Sequence, residues 1–160
     1  MNVDVRAADY GNPADRAGIV DVLDSYASDP IGGGKPLRDD VRKRLVPALR
    51  ENLNALVLLA FVDEQPVGLA VCFFGFSTFN ARPLLNIHDL AVLPAYRGKG
   101  VGRALLGEAE KHARARSCCR LTLEVQDDNI RARSLYERFG FSDFTVGASA
   151  PTRFMGKPLP

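Results

Sequence analysis

The sequence predicts an α/β fold, with a mixed central sheet of about seven strands flanked by about four helices. Two patterns carry this prediction. Short apolar runs that alternate or stay continuous over five to ten residues interleave with segments whose apolar positions recur at helical spacing. A chain of 160 residues, 46% hydrophobic, is also long enough for one such core and too short for two ordinary ones. Residues 1–160 are therefore expected to form a single domain.

The elements follow in order. Val3-Asp4-Val5-Arg6-Ala7 alternates and is expected as the first strand. A helix from about Ala14 to Ala27 presents Ile19, Val20, Val22, Leu23 and Tyr26 as its apolar stripe. Ser28 to Pro36, rich in glycine and proline, is a loop. A second helix from about Leu37 to Asn52 turns Val41, Leu45, Val46 and Leu49 inward, with Pro47 as a point of bending or interruption. Strands at Leu56 to Asp63 and Val67 to Gly75 flank a turn at Glu64-Gln65-Pro66. A strand at Leu85 to Leu93 leads into a helix from Gly100 to Arg116 that buries Val101, Leu105, Leu106 and Ala109. A strand at Arg120 to Gln126 and a helix from Ile130 to Phe139, ended by Gly140, come next. Phe141 to Val146 and Thr152 to Lys157 then complete the sheet as a hairpin.

The chemistry concentrates where a strand runs into a basic, glycine-rich loop at Arg97-Gly98-Lys99-Gly100-Val101-Gly102-Arg103. Glycines at 98, 100 and 102 allow the backbone N–H groups to approach a ligand closely. The unpaired amides of the following helix's first turn and its dipole face the same point. With Arg97, Lys99 and Arg103 around it, the loop suits a pyrophosphate. A dinucleotide fingerprint would need glycine at position 103, where Arg103 stands. Gly32-Gly33-Gly34-Lys35 is followed by Pro36, not Ser or Thr, and lacks the earlier glycine of a P-loop, so it reads as a loop.

The span Arg97 to Gly102 matches the Q/R-x-x-G-x-G/A acetyl-CoA signature of the Gcn5-related N-acetyltransferases. Asn129 followed by Tyr136-Glu137-Arg138-Phe139-Gly140-Phe141 resembles that family's second block. The resemblance covers about Leu56 to Phe144. Gly75 to Pro83 leading into Asn86-Ile87-His88-Asp89-Leu90-Ala91-Val92 is, in addition, similar to the diamine (spermidine/spermine) branch.

The resemblance implies acetyl transfer from acetyl-CoA to an amine by direct attack on the thioester. It implies that Arg97 to Arg103 and Asn129 contact the cofactor. The pantetheine arm is implied to lie along Leu90-Ala91-Val92, with a main-chain N–H near Leu90 or Ala91 on the thioester carbonyl. Tyr136 stands where the family has the tyrosine that protonates the departing thiolate, although on an amphipathic helix beside Leu135 and Phe139 it also suits simple packing. Asn129 is a helix-cap candidate as well as a cofactor contact.

For the base, the diamine branch has Glu-Asp where this chain has His88-Asp89. Imidazole is a common general base, and His88 is favoured by position, with Asp89 second as a base or as a cation-binding or water-ordering carboxylate. Since neighbouring strand residues point to opposite faces, only one of the two is expected to face the thioester.

The acceptor expected from the diamine likeness is a small cationic amine, attracted by Asp21, Asp24 and Asp29. Protein or peptide amines, and a non-catalytic acyl-CoA-binding regulatory domain, remain the alternatives. A net charge of +2 gives no reason to expect nucleic acid or an anionic membrane as partner. The three cysteines, Cys72, Cys118 and Cys119, and the two distant histidines, His88 and His112, have no metal-ligand spacing, so no metal is expected. Cys72, inside an apolar run, reads as a core thiol. The polar start of the chain and the interrupted apolar runs favour the cytosol, and the family likeness suggests a homodimer.

Overall fold

A computed structural model describes residues 1–147 and 150–159. It contains a mixed five-stranded sheet and four α-helices, in two compact units, Met1–Leu123 and Glu124–Pro160.

In the first unit the sheet order is β1 (Asp4–Ala7), β2 (Ala55–Val62), β3 (Gln65–Ser77), β4 (Arg82–Val92) and β5 (Leu121–Leu123). The pairs from β1 to β4 are antiparallel and β4–β5 is parallel. Direct cross-strand partners share a face, so the register sorts the core into two layers. Val57, Leu59, Phe61, Leu69, Val71 and Ala91 pack with Ile19 and Val22 of α1 (Pro13–Ser28) and Val46 and Leu49 of α2 (Asp39–Glu51). The opposite face carries α3 (Val101–Ala115), whose Val101, Leu105, Leu106, Ala109 and Ala113 are buried. Each such leucine, fully withdrawn from water, contributes about 1.5–3 kcal/mol. Gly68 sets how closely α3 approaches, because a Cβ there would lie 2.8 Å from Val101 Cγ1. No helix among the described residues is long and apolar enough to cross a membrane.

Local chemistry shifts several expected boundaries. The β2–β3 turn falls on Asp63 and Glu64, both with positive φ, instead of Glu64 to Pro66. Two left-handed residues match the twist of a tight hairpin, and Pro66 is left at the start of β3, where a missing N–H is tolerated. Helix α2 runs through Pro47. Its inward stripe holds the helix together despite a lost backbone bond, which costs about 3 kcal/mol.

The larger correction is strand number, five instead of about seven. In the second unit, the pairing found among the described residues of the expected hairpin is an isolated antiparallel bridge, Thr145 to Pro151, just before Thr152, with the Thr152 amide donating to the Phe144 carbonyl at 2.8 Å. The turn of the expected hairpin, at Ala148 and Ser149, lies outside the described residues. Alternation alone does not make a strand: Phe144, Val146, Phe154 and Met155 are exposed, so no packed layer rewards extension. The expected strand Arg120 to Gln126 is likewise cut to Leu121–Leu123, because its pairing with β4 ends at Ile87.

The N-terminal strand is tied to α1 by Asp15, which is 1% exposed. Its carboxylate accepts two hydrogen bonds from the Arg6 guanidinium, at 2.6 and 2.9 Å, and one from the Asp9 amide at 2.7 Å. The Arg6 hydrogen bonds hold the Asp15 carboxyl below the usual carboxylate range, against the opposing effect of burial. A depressed folded-state pKa gives stability that is present above the unfolded carboxylate value and lost as pH falls through the folded one. Asp15→Asn is expected to destabilise the fold by about 1–3 kcal/mol, discounted because the Arg6 side chain is 42% exposed. Denaturant melts at neutral pH and below pH ~4 should show the deficit at neutral pH and its disappearance in acid. Equal stability at neutral pH would make the pair neutral.

Candidate active site

The site is organised by one irregularity in β4. The register with β3 runs Val71 to Asp89 and then Cys72 to Ile87, so His88 is an extra residue opposite that step. A bulge of this kind breaks the strict alternation of faces. Asp89 lies across from Val71, a member of the core layer beneath α1 and α2. The His88 ring meets Phe73, packed against that layer, edge-on at 5.6 Å. Both side chains therefore lie on the α1/α2 side of the sheet, where strict alternation would send them to opposite faces.

Their environments differ. His88 is exposed, whereas Asp89 is half-buried. Burial raises the Asp89 carboxyl above its ordinary range, and the neighbouring His88 imidazole opposes this. Tyr26 of α1 is near enough to feel the pair: burial, followed by the charges of Asp89 and Asp29, raises its phenol above the usual value. Helical spacing places Tyr26 in the packing stripe of α1 and does not reveal that its phenol lies within the electrostatic reach of Asp89. Burial, with Asp89 nearby, pushes the Cys72 thiol up to about 12, as expected for a core thiol rather than a nucleophile.

Beyond the bulge, β4 has no partner strand in the first unit on its β5 side, because pairing with β5 stops at Ile87 and Leu123. The Leu93 amide donates to the Val67 carbonyl at 2.9 Å. Alternation along an antiparallel pair then directs the polar backbone groups of Ala91 toward β3 and those of Leu90 and Val92 outward. Consistent with this, the Val92 carbonyl accepts a hydrogen bond from Arg97 Nε at 3.0 Å. Of the two amides considered for the thioester carbonyl, Leu90 has the outward one.

The chain then passes through a 3-10 turn, Pro94–Tyr96, into the glycine loop and α3. Gly98 and Gly100 have φ of +73° and +87°, and a Cβ on either would meet no protein atom within 4 Å. Their left-handed backbone, not internal crowding, requires glycine, and the space beside them opens away from the protein. Gly100 brings no side chain to cap α3. The first-turn amides Val101 and Gly102, which have no intrahelical acceptor, emerge into that space. A pyrophosphate fits this cradle.

Two of the three expected cations, Arg97 and Lys99, are used differently. Arg97 is turned back into the protein, with Nη1 2.9 Å from Asp29 as well as Nε on Val92. It clamps the loop after α1 to the end of β4. Lys99 Nζ sits 5.5 Å from the Tyr96 ring centroid. Asp24 is likewise committed, accepting from the Leu37 amide at 2.7 Å and pairing with Arg42 at 2.8 Å, and Asp21 lies 3.4 Å from Arg42. Among the described residues, no three His, Cys, Asp or Glu side chains gather as a metal site would require.

Asn129 and Tyr136 belong to the second unit. Asn129 caps α4 (Ile130–Phe139), its side-chain oxygen accepting from the Ala132 amide at 3.2 Å. Gly140, at φ +111°, ends the helix, and the Tyr136 ring meets Phe141 edge-on at 5.9 Å.

Known proteins share both pattern and architecture. The chain is 33% identical over 95 residues to an uncharacterised N-acetyltransferase of Bacillus subtilis, an alignment covering 59% of this chain and 64% of that protein. It is 35% identical over 79 residues to the thialysine N-epsilon-acetyltransferase of Bos taurus, covering 49% and 46%. The chain thus spans roughly half to two-thirds of the length of these relatives. A solved structure of a candidate acetyltransferase from Arthrobacter sp. FB24 superposes with a TM-score of 0.79 at 28% identity, covering 98% and 96% of the two chains. The family model for the acetyltransferase (GNAT) family matches residues 19–141, through the bulged strand, the glycine loop and α4, and the chain belongs to that family.

Proposed function

We propose that this protein transfers the acetyl group of acetyl-CoA to the amine of a small cationic acceptor. The observation that carries the reading is the bulge at His88, which sets two titratable side chains on one face of a strand whose free edge leads into a glycine cradle. Residues 1–160 are read as one catalytic domain, since the family match runs across both units.

Bound acetyl-CoA supplies an activated thioester. The backbone amides from Gly98 to Gly102 hold the pyrophosphate, with Lys99 and Arg103 adding charge and Asn129 a further contact. The outward backbone groups of Leu90 and Val92 receive the pantetheine arm as an added strand would be received. The Leu90 amide polarises the thioester carbonyl. His88 removes the proton of the ammonium acceptor, directly or through a water, and Asp89 orders that water or holds the cation. Tyr136 gives its hydroxyl proton to the departing thiolate, and bulk solvent restores both groups.

Three relatives, from Bos taurus, Mus musculus and Caenorhabditis elegans, are named thialysine N-epsilon-acetyltransferases, and the acceptor in that name is a small amino compound. That supports a small acceptor here. The commitment of Asp24 and Asp29 to arginines transfers the charge argument to Asp89, which has no arginine partner among the described residues.

The test is thiol release with diamines, thialysine-like amino acids, uncharged amines of similar length and peptide amines, repeated at rising salt. Cationic acceptors should react fastest, and their kcat/KM should fall as salt screens the site. Activity only on peptide amines would favour a protein acetyltransferase. Cofactor binding without release from any amine would favour a regulatory acyl-CoA-binding domain.

Gly100→Asp tests the cradle separately. A left-handed aspartate is strained by about 1–2 kcal/mol, yet a Cβ at this position meets no protein atom within 4 Å, so the fold should survive. Acetyl-CoA affinity measured by calorimetry should fall at least about tenfold as a carboxylate enters the pyrophosphate space. Unchanged affinity in the folded variant would remove the loop from the cofactor site.

A further inference from the structure

The outer surface of the first unit has a cleft, lined by residues of α1 and α2, that the proposed acetyl transfer does not use. It is open to solvent and has a volume of about 720 Å³, within the size range of small-ligand sites. Its floor is apolar: Val46 is 7% exposed, Val20 is half-buried, and Ala17 and Pro47 present bare hydrocarbon at the edges. Its walls are basic, with Arg16, Arg42, Lys43 and Arg50 against one carboxylate, Glu51.

These cations are not equivalent. Arg42 is neutralised by Asp24 and Asp21, at 2.8 and 3.4 Å, and that pairing pins α1 to α2. Arg16 donates to two neutral carbonyls, of Tyr10 and Gly11, at 2.9 and 3.1 Å, so it is fixed in direction while making no ion pair among the described residues. Lys43 and Arg50 make no ion pair among the described residues. Three cations without an ion pair among the described residues thus rim an apolar floor in a chain whose whole net charge is only +2.

Helix α2 contributes a second feature. Pro47 stands in its interior, on the wall of this cleft, and has no N–H for the carbonyl of Lys43, another wall residue. An interior proline opposes helix formation. Here it supplies a rigid apolar surface and leaves a carbonyl oxygen without its usual helical donor.

We infer that the α1–α2 cleft is a binding site for a small organic anion with an apolar body, its charged head held by Arg16, Lys43 and Arg50 and its hydrocarbon on Val20, Val46 and Pro47. The complementarity is of both charge and polarity, and it excludes the cationic amines proposed as acceptors. The site stands independently of the acetyl-transfer reading.

The test uses the full chain with octanoate as probe, and octylammonium and inorganic phosphate as controls, followed by amide NMR shifts and calorimetry. Octanoate should shift the resonances of residues 16–20 and 42–51 saturably, octylammonium should not, and phosphate should bind more weakly than octanoate. Raising the ionic strength from about 0.05 to about 0.5 M should weaken the octanoate complex. Lys43→Gln/Arg50→Gln, at two exposed positions, should weaken it about tenfold, and Lys43→Glu/Arg50→Glu should abolish it, with circular dichroism confirming the fold of each. Absence of saturable shifts, unchanged affinity in the folded glutamine variant, or equal binding of octanoate and octylammonium would overturn the assignment. Phosphate binding as tightly as octanoate would also overturn it, because the apolar floor would then play no part.

Discussion

His88→Gln is expected to lower kcat/KM for the amine about 10²-fold or more at neutral pH, because glutamine keeps a polar side chain at the bulge but cannot take a proton. The His88 ring touches Phe73 at its edge and is exposed, so the substitution should leave the melting temperature and acetyl-CoA affinity nearly unchanged. The pH dependence separates chemistry from disturbance. As pH approaches the pKa of the acceptor, more of it arrives as free amine, and the deficit should narrow. Imidazole added to His88→Gly should restore part of the rate. A wild-type rate in His88→Gln at neutral pH, with chemistry limiting, would move the base to Asp89 or to a water it orders.

That assignment depends on a feature that residue types do not display. The sequence shows a His-Asp pair on a strand, and simple alternation sends its members to opposite faces. A bulge is set by the register of two paired strands, here the consecutive β3 and β4, through the step from Val71 and Asp89 to Cys72 and Ile87. Its position depends on how the two strands pair, which the residue types of β4 alone do not display. The glycine loop is the opposite case. The positive φ values of Gly98 and Gly100, and the start of α3 directly after them, are local requirements that the residues themselves announce. Helix α4 was legible for the same reason, with Asn129 as its cap and Gly140 as its left-handed stop.

Charge was less legible than backbone. Arg97 and Asp29 are far apart in the chain, and each was assigned to a ligand, the arginine to a pyrophosphate and the aspartate to an ammonium. In the structure they bind each other at 2.9 Å. Arg42 likewise joins Asp24 across the two helices. A sequence lists charges but does not show which neutralise one another, so arguments from local charge overcount what is available to a ligand. The C-terminal strands failed for a related reason. Alternation in Phe141 to Val146 indicates which side chains would share a face, whereas the covering layer that makes a face worth burying comes from elsewhere in the chain.

Tyr136→Phe should keep acetyl-CoA affinity and lower turnover about 10²-fold, since it deletes one transferable proton and almost no volume. The structure makes this substitution unusually discriminating. The ring of Tyr136 meets Phe141 edge-on at 5.9 Å, and its carbonyl accepts from the Gly140 and Phe141 amides at the end of α4. Phenylalanine preserves all of these, so a tyrosine retained for these contacts would show no change in rate. A general acid would show its loss in kcat, with KM for the amine little affected, because the proton is needed only as the thiolate departs. Acetyl donors that release a more stable thiolate should be less impaired, and acetyl thioesters of low-pKa thiols therefore provide the internal control. If turnover of acetyl-CoA stays at the wild-type level under conditions where chemistry limits the rate, Tyr136 is a packing residue of α4, and the thiolate takes its proton from water.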